Sequence, residues 1–300
     1  MPAQEAFTTQ ASPAYRPSRA GQAAAFARRF ARTKPLAAAG AAIVVVLGLT
    51  AIFASLISPY NPLALHYDAR LVPPGLTYYW GTDHLGRDVM SRVIYGTRIS
   101  LYVGILAVAL GQTAGGIIGI LSGYFGGKLD VAIQRIMDAL MAFPTLILGL
   151  MLVAALGPSV ENIILAIAIV QTPRTARVAR AATIAVRSLA FVDAARAIGA
   201  DDWRIVFRHV LPQTLAPFIV IASVELPHAI LVEASLSVLG LGIPPPAPSW
   251  GSMLAGEGGQ FVTQAPWLAI FPGIAISLTV FAFNMLGDGL RDILDPRLRS

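Results

Sequence analysis

The chain has 300 residues, of which 56% are hydrophobic and only 13% are charged, and its mean hydropathy is +0.68. Soluble domains carry about twice that charged fraction, so the composition argues against a soluble globule and favours a protein that resides in a lipid bilayer. Cysteine is absent, which excludes disulfides, thiolate nucleophiles and thiolate metal sites.

Six apolar segments are long enough to cross the bilayer, and we predict an all-α integral membrane protein with six transmembrane helices. The clearest is Leu36–Ile57, whose 22 residues cover roughly 30 Å as a helix. It is longer than the apolar core of a cleavable secretory signal, and no small-x-small cleavage site follows it, so we expect it to be retained. The other five segments are 99–121, 136–156, 160–183, 214–239 and 267–286.

The distribution of Lys and Arg predicts the orientation of the spans. The side that carries both termini holds Arg16, Arg19, Arg28, Arg29, Arg32, Lys34, Lys128, Arg135, Arg174, Arg177, Arg180, Arg187, Arg196, Arg204, Arg208, Arg291, Arg297 and Arg299. The opposite side holds Arg70, Arg87, Arg92 and Arg98. A split of 18 against 4 predicts that both termini are cytoplasmic. Because this topology signal accounts for most of the basic excess, and no base-stacking aromatics accompany it, we do not predict nucleic-acid binding.

The predicted spans divide the chain into five parts. These are a cytoplasmic N-terminal tail (1–35), a first transmembrane helix (36–57), an external loop with a short helix (58–98), a five-helix core (99–290) and a cytoplasmic C-terminal tail (291–300). Within the core we expect a cytoplasmic loop at 187–213 and an external loop at 240–266. The Pro-rich run 240–246 cannot form a regular helix and should not face lipid, so we expect the segment after Pro227 to fold back on the outer side as a cap over the translocation pathway.

The second predicted span carries a glycine at every fourth position. These residues are Gly111, Gly115, Gly119 and Gly123. Small residues on one helix face let two backbones approach closely in lipid, so the stripe predicts a helix-packing face.

The sequence offers no pattern for catalysis. The four histidines, His66, His84, His209 and His228, lack the spacing of a helical metal site, and we predict no metal. There is no nucleophile elbow and no phosphate-binding loop, so we predict neither an enzyme nor a cofactor or ATP bound by this chain. If the chain moves solute uphill, an ion gradient or a separate ATPase must supply the energy.

The loop at 187–213 has the pattern of two short helices around a glycine turn. The stretch 193–199 predicts a short helix that has a small-residue face, and the helix ends at Gly199. Asp201 and Asp202 favour the start of a second helix, Trp203–Val210, which we expect Pro212 to end. Two short helices at an angle would form a knob that projects from the membrane.

The loop resembles the EAA motif of binding-protein-dependent ABC importer permeases. Asp193-Ala194-Ala195 corresponds to Glu-Ala-Ala, Gly199 follows at the motif's spacing, and Leu211-Pro212 closes it in register. Asp193 stands where the motif has Glu, and His209 stands where it has a hydrophobic residue. Four further segments, 81–92, 233–242, 248–251 and 287–297, are similar to signatures of the C-type subunit in the dipeptide/oligopeptide/nickel branch. The resemblance covers about residues 35–298.

The resemblance implies an ABC type I importer permease fold in a bacterial or archaeal plasma (inner) membrane. It also implies a second homologous permease subunit of the B type, two ATPase subunits that hold ATP and Mg²⁺, and an external substrate-binding protein. The residues expected to couple to the ATPase are Asp193, Ala194, Ala195, Arg196, Ala197, Gly199, Trp203, Arg204, Phe207, Arg208 and Pro212. The small residues would let the knob enter a groove on one ATPase subunit. The arginines would reach carboxylates on the rim of that groove, and the aromatics would be buried in the contact. The alternative is that the charges are solvated and the aromatics pack on the chain's own helices.

Polar residues in and after the fifth span are candidates for the translocation pathway. Glu225 lies roughly 20 Å along the helix from Pro212, where a carboxylate that faced lipid would be costly. We expect it to face the pathway or a partner such as His228, and the alternative is a structural hydrogen bond between helices. Glu233 is the third candidate, and Trp250 is a candidate anchor against the binding protein or at the membrane interface.

Two questions stay open at this stage. An ion-coupled secondary transporter, with Glu225 or Glu233 as the coupling carboxylate, is the alternative class, although paired broken helices in matching halves are missing from the pattern. The cargo is also open, because dipeptides, oligopeptides, nickel chelates and other nutrients all fit the same permease role.

Overall fold

The protein is described by a computed structural model over residues 28–294 except Arg29, and this part is helical with no strand. Most of the predicted N-terminal tail and the end of the C-terminal tail, with the Asp295-Pro296-Arg297 motif, lie outside the described residues. The helices are α1 (Pro35–Ile52), α2 (Ala54–Ile57), α3 (Val89–Phe125), α4 (Gly127–Met141), α5 (Thr145–Leu156), α6 (Val160–Arg187), α7 (Ala190–Ala197), α8 (Asp202–Ile205), α9 (Leu211–Val238), α10 (Trp250–Met253) and α11 (Trp267–Leu294).

Helix α1 has the character of a lipid-facing span. Pro35 lies in its first turn, where a missing N–H disturbs no helical hydrogen bond. The buried residues of this apolar helix are Ala37, Gly40 and Leu47. Most of its hydrophobic surface therefore faces away from the rest of the chain.

Helix α3 is the central element of the fold and packs closely along α6. It begins at Val89, ten residues before the predicted start, because Asp88 caps it by accepting a hydrogen bond from the Ser91 backbone N–H at 2.7 Å. The predicted glycine stripe lies at the contact with α6. A Cβ atom built on Gly119 would lie 2.3 Å from the Ala176 carbonyl oxygen, which is far inside van der Waals contact. Glycine is needed there because the two backbones touch.

The predicted third span, 136–156, is not one straight helix. It consists of α4 and α5, which are bent by 92° at the break that holds Phe143 and Pro144. Proline lacks the N–H that would continue the helical ladder and disfavours helical geometry in the residue before it, so the chain turns at this point. The predicted segment is therefore a broken helix pair, and its role as one membrane span stays a prediction.

Helix α6 corresponds to the predicted fourth span, and its arginines are paired with acids of neighbouring helices. Arg180 makes two hydrogen bonds to Asp130 of α4, at 2.6 and 2.7 Å, and Arg177 bonds Asp138 at 2.6 Å. By length and composition, four helices of the described part can cross a membrane, or five if the bent α4–α5 pair is one span. Helix α6 is not among them because its second half is rich in charge. The count of six spans and the side of the termini stay predictions.

The segment after α9 folds back onto the protein, and its expected position as a cap over the pathway stays a prediction. Helix α9 ends at Val238, and the chain returns through α10 and a π-helical turn at Leu254–Gly258 before α11 begins. Gly251 of α10 lies so close to α9 that an added Cβ would be 2.6 Å from the Ala234 Cα. This folded-back segment, residues 240–266, is therefore packed into the helical bundle.

Candidate functional site

The loop between α6 and α9 forms the predicted knob, with a buried base and an exposed summit. Helix α7 stops where Gly199 adopts a φ of +83°, and the Gly199 N–H bonds the Arg196 carbonyl at 2.9 Å. A Cβ at this position would meet no atom within 4 Å, so the requirement for glycine is conformational and not steric. The left-handed turn sends the chain from α7 into α8.

The base of the knob packs on the end of α3. Its buried residues are Val192, Ala195, Ile205, Val206 and Val210, which contact Ile120 and Tyr124 of α3. Tyr124 also donates a hydrogen bond from its hydroxyl to Asp202 Oδ1 at 2.6 Å. This burial corrects the prediction for Ala195, whose side chain packs on the chain's own helix and cannot enter a partner's groove. Ala194 and Ala197 remain on the exposed side.

The summit of the knob presents large apolar side chains to the surroundings. Ile198 is 86% exposed, Phe207 is 62% exposed and Trp203 is 53% exposed. The rings of Trp203 and Phe207 stack with centroids 6.0 Å apart. The predicted pairing of the two aromatics is present. Trp203 also makes an edge contact with the Phe125 ring of α3, at 6.0 Å between centroids, and both side chains stay more than half exposed.

The charged residues of the knob surround this summit. Asp193, Arg204 and Arg208 are exposed, as the sequence pattern predicts for groups that meet a partner or solvent. Arg196 instead contacts the chain's own residues. Its guanidinium lies 5.7 Å from the centre of the Tyr124 ring and 3.4 Å from the Asp193 carboxylate. The Tyr124 hydroxyl raises the pKa of Arg196.

Pro212 does not end the second helix of the knob. The chain runs from α8 through a π-helical turn, Val206–Val210, directly into α9, and the Leu211 N–H bonds the Val206 carbonyl five residues back. A proline ring would clash with the carbonyl four residues earlier in a regular α-helix, and the wider turn relieves that clash. The knob and the fifth predicted span are therefore one continuous rod, which the sequence prediction had divided.

A second feature is a cavity at the bend between α4 and α5, here called the bend cavity. Its volume is about 140 Å³, and Glu225 and His228 of α9 line it, as do Gln171 and Arg174 of α6 and Phe143 at the bend. Broken helices at membrane depth occur where the backbone is buried in protein or lines a cavity, and this bend fits that rule.

Glu225 is buried in the bend cavity and pairs with an arginine that the sequence analysis had counted as cytoplasmic. Arg174 Nη1 lies 3.1 Å from Glu225 Oε1, with the arginine side chain 58% exposed and the glutamate side chain 2% exposed. The predicted neighbour His228 lines the same cavity. Arg174 therefore lies at the level of Glu225, deep along α6.

Glu233 lies away from the bend cavity, and its pathway role stays a prediction. It is fully buried and accepts hydrogen bonds from the hydroxyls of Ser237 at 3.0 Å and Ser249 at 2.9 Å. It is not among the residues that line the bend cavity. Its observed contacts hold the folded-back segment against α9.

Trp250 is not an external anchor. Its indole is completely buried, donates from Nε1 to the Val93 carbonyl at 3.1 Å, and packs against Gly96 of α3. Neither a binding protein nor the membrane interface can contact a side chain in that position. The prediction for Trp250 is corrected: the residue fastens the folded-back segment to α3.

An ion-pair network ties the loop at 58–98, which was predicted to be external, to the folded-back segment. Arg87 donates to Asp83 at 2.6 Å and also to Glu257, and Arg92 lies 3.4 Å from Glu257. Asp83, His84 and Glu257 could each offer an atom to a metal ion, but two guanidinium groups already pair with the carboxylates and would repel a cation. Burial lowers the pKa of His84. The Asp83 carboxylate opposes this shift, and Arg87 and Arg92 add to it.

Sequence reasoning missed two of these arrangements. Arg174 is the first of three arginines at every third position of α6, and that spacing was read only as a topology signal. The segment 81–92 was recognised as a signature, but nothing near Glu257 in the sequence marks it as the partner of Arg87.

The comparison with known proteins defines the class of this chain. Residues 115–300 match the family described as the binding-protein-dependent transport system inner membrane component, and residues 22–74 match the N-terminal TM domain of oligopeptide transport permease C. The chain belongs to this family of inner-membrane permeases.

Individual relatives agree with this assignment. The chain is 44% identical to the dipeptide transport system permease protein DppC of Alkalihalophilus pseudofirmus, over 88% of this chain and 87% of the relative. It is 43% identical to the glutathione transport system permease protein GsiD of Pectobacterium atrosepticum, over 92% and 91%. Among solved structures, an inward-facing MetNI methionine ABC transporter matches with a TM-score of 0.57 at 18% identity, covering 69% of this chain and 97% of that chain. That likeness shows an ABC importer permease fold.

Proposed function

We propose that the chain is one of two homologous permease subunits of an ATP-driven importer for di- or oligopeptides and forms half of its translocation pathway. Two separate ATPase subunits would hold ATP and Mg²⁺, and an external substrate-binding protein would deliver the cargo. The peptide cargo is supported by the relatives, since dipeptides and glutathione are both peptides.

The exposed summit of the knob is the observation that carries the coupling role. ATP-driven closure of separate subunits can move the spans only through a rigid contact. The buried base on α3 and the continuous rod into α9 give the knob that rigidity, while Ile198, Trp203 and Phe207 supply an apolar contact surface. Large aromatic side chains that become buried in an interface are the usual centres of binding energy.

Substitution of Gly199 tests the coupling role. Valine is a poor residue at a φ of +83°, and the strain of about 1–2 kcal/mol should displace the knob, whereas asparagine tolerates this conformation. We expect Gly199→Val to reach the membrane but to lose the copurifying ATPase subunits and peptide uptake, and Gly199→Asn to retain most of both.

Uptake is measured in proteoliposomes supplied with ATP and with the proton gradient collapsed, so that an ion-coupled transporter would be inactive. Wild-type uptake that required the gradient would contradict ATP coupling. Normal ATPase association and normal uptake in Gly199→Val would show that the knob is not the coupling element.

A further inference from the structure

Three buried polar atoms around the bend cavity have no hydrogen-bond partner among the described residues. They are Glu225 Oε1, Gln171 Oε1 and His228 Nδ1. A buried polar atom without a partner is energetically unfavourable, and most buried polar atoms in proteins are paired. Three such atoms on residues that line one cavity indicate a place where a polar ligand completes the hydrogen bonding.

The chemistry of these atoms specifies the ligand group. A carboxylate oxygen and an amide oxygen are acceptors, and an imidazole Nδ1 is an acceptor when its proton is on Nε2. One N–H of the Gln171 side-chain amide is engaged, because it donates to the backbone carbonyl of Glu225 at 3.1 Å. The cavity therefore offers up to three acceptors, and a primary ammonium group carries three N–H donors.

The charge arrangement favours the same group. Arg174 lies 3.1 Å from Glu225 Oε1, but the contact lacks hydrogen-bond geometry, so this carboxylate oxygen has a cationic neighbour and no donor. The arginine side chain is more than half exposed, whereas the carboxylate is almost completely buried. An incoming ammonium group can replace the Arg174 guanidinium as the cation that neutralises the Glu225 carboxylate, because the exposed arginine side chain is able to move into solvent.

We propose that the bend cavity is a subsite for the free amino terminus of the cargo, with Glu225 as the residue that selects its positive charge. This inference rests on the proposed peptide import and narrows its substrate class. At about 140 Å³ the cavity is smaller than the 300–1,000 Å³ typical of whole-ligand pockets, so it accepts one end of a longer molecule. Amino-blocked peptides and chelates without an ammonium group are disfavoured.

Ligand titration tests this subsite without the external binding protein. The full chain, with the subunits that copurify, is placed in lipid nanodiscs and titrated with dialanine, N-acetyl-dialanine and dialanine amide by saturation-transfer NMR. We expect dialanine and its amide to bind in the millimolar range and N-acetylation to weaken binding about tenfold, because it removes the charge and two N–H donors.

Three variants locate the effect. Glu225→Gln should bind dialanine and N-acetyl-dialanine equally, and His228→Phe, which removes one acceptor and keeps the charge, should reduce the preference several-fold. Glu161→Gln, at an exposed glutamate in the first turn of α6, should leave the preference unchanged. If Glu225→Gln does not fold, His228→Phe decides the result.

Two results would overturn the subsite. The first is a wild-type protein that binds dialanine and N-acetyl-dialanine equally, or binds neither. The second is a preference for dialanine that persists in Glu225→Gln and His228→Phe, or in whichever of the two folds. Uptake separates this outcome from failure of the proposed function. Peptide uptake without an amine preference would refute only the subsite. Amine-dependent binding without any peptide uptake would refute only the proposed import of peptides.

Discussion

Replacement of Gly119 by alanine tests the close contact between α3 and α6. The new Cβ would lie 2.3 Å from the Ala176 carbonyl oxygen and 2.5 Å from the Ala179 Cβ, where ordinary contact begins at 3.4 Å. The helices must separate by roughly 1 Å, which forfeits a quarter to a half of each dispersion contact at that level. Overpacking costs about 1–3 kcal/mol, and the upper value applies because neither obstacle can rotate away.

Alanine recovers about 1 kcal/mol through its higher helix propensity, which leaves a net loss of about 2 kcal/mol. The ratio of folded to unfolded protein should therefore fall about 30-fold. We expect this loss in SDS-induced unfolding of the purified protein in mixed micelles, followed by tryptophan fluorescence. Gly48→Ala in α1 is the matched control, because a Cβ there meets no atom within 4 Å. Equal stability of the two variants would refute the proposed backbone contact.

Two further predictions concern the folded-back segment and the loop at 58–98. Trp250→Phe removes the donor to the Val93 carbonyl and should lower the free energy of unfolding by about 1–3 kcal/mol in the same titration; an unchanged value would contradict the buried indole. Burial, with Arg87 and Arg92 nearby, holds the pKa of His84 below 6.5, so the unfolded chain binds the proton more readily. Stability should be complete above about pH 6.5 and decline below it, and His84→Gln should flatten that decline; parallel pH profiles would contradict the assignment.

The sequence was sufficient where the determining pattern is local or periodic. The apolar runs fix the membrane class because each must match the thickness of the hydrocarbon layer. The four-residue spacing of the glycines places them on one face of α3, so a close helix contact could be predicted without its partner. Gly199 could be predicted as a turn because the helix pattern stops at a residue that tolerates a positive φ.

Contacts between distant segments were decided only by the tertiary structure. The partner of Glu225 is Arg174, which lies on another helix, and no local pattern distinguishes it from the other arginines of α6. Trp250 is buried because the folded-back segment returns to α3, although its composition alone is equally typical of a membrane interface. The amino-acid sequence thus determined the apolar segments and the helix face that is small. Packing determined which charges meet and where a cavity remains, because these depend on residues far apart in the chain.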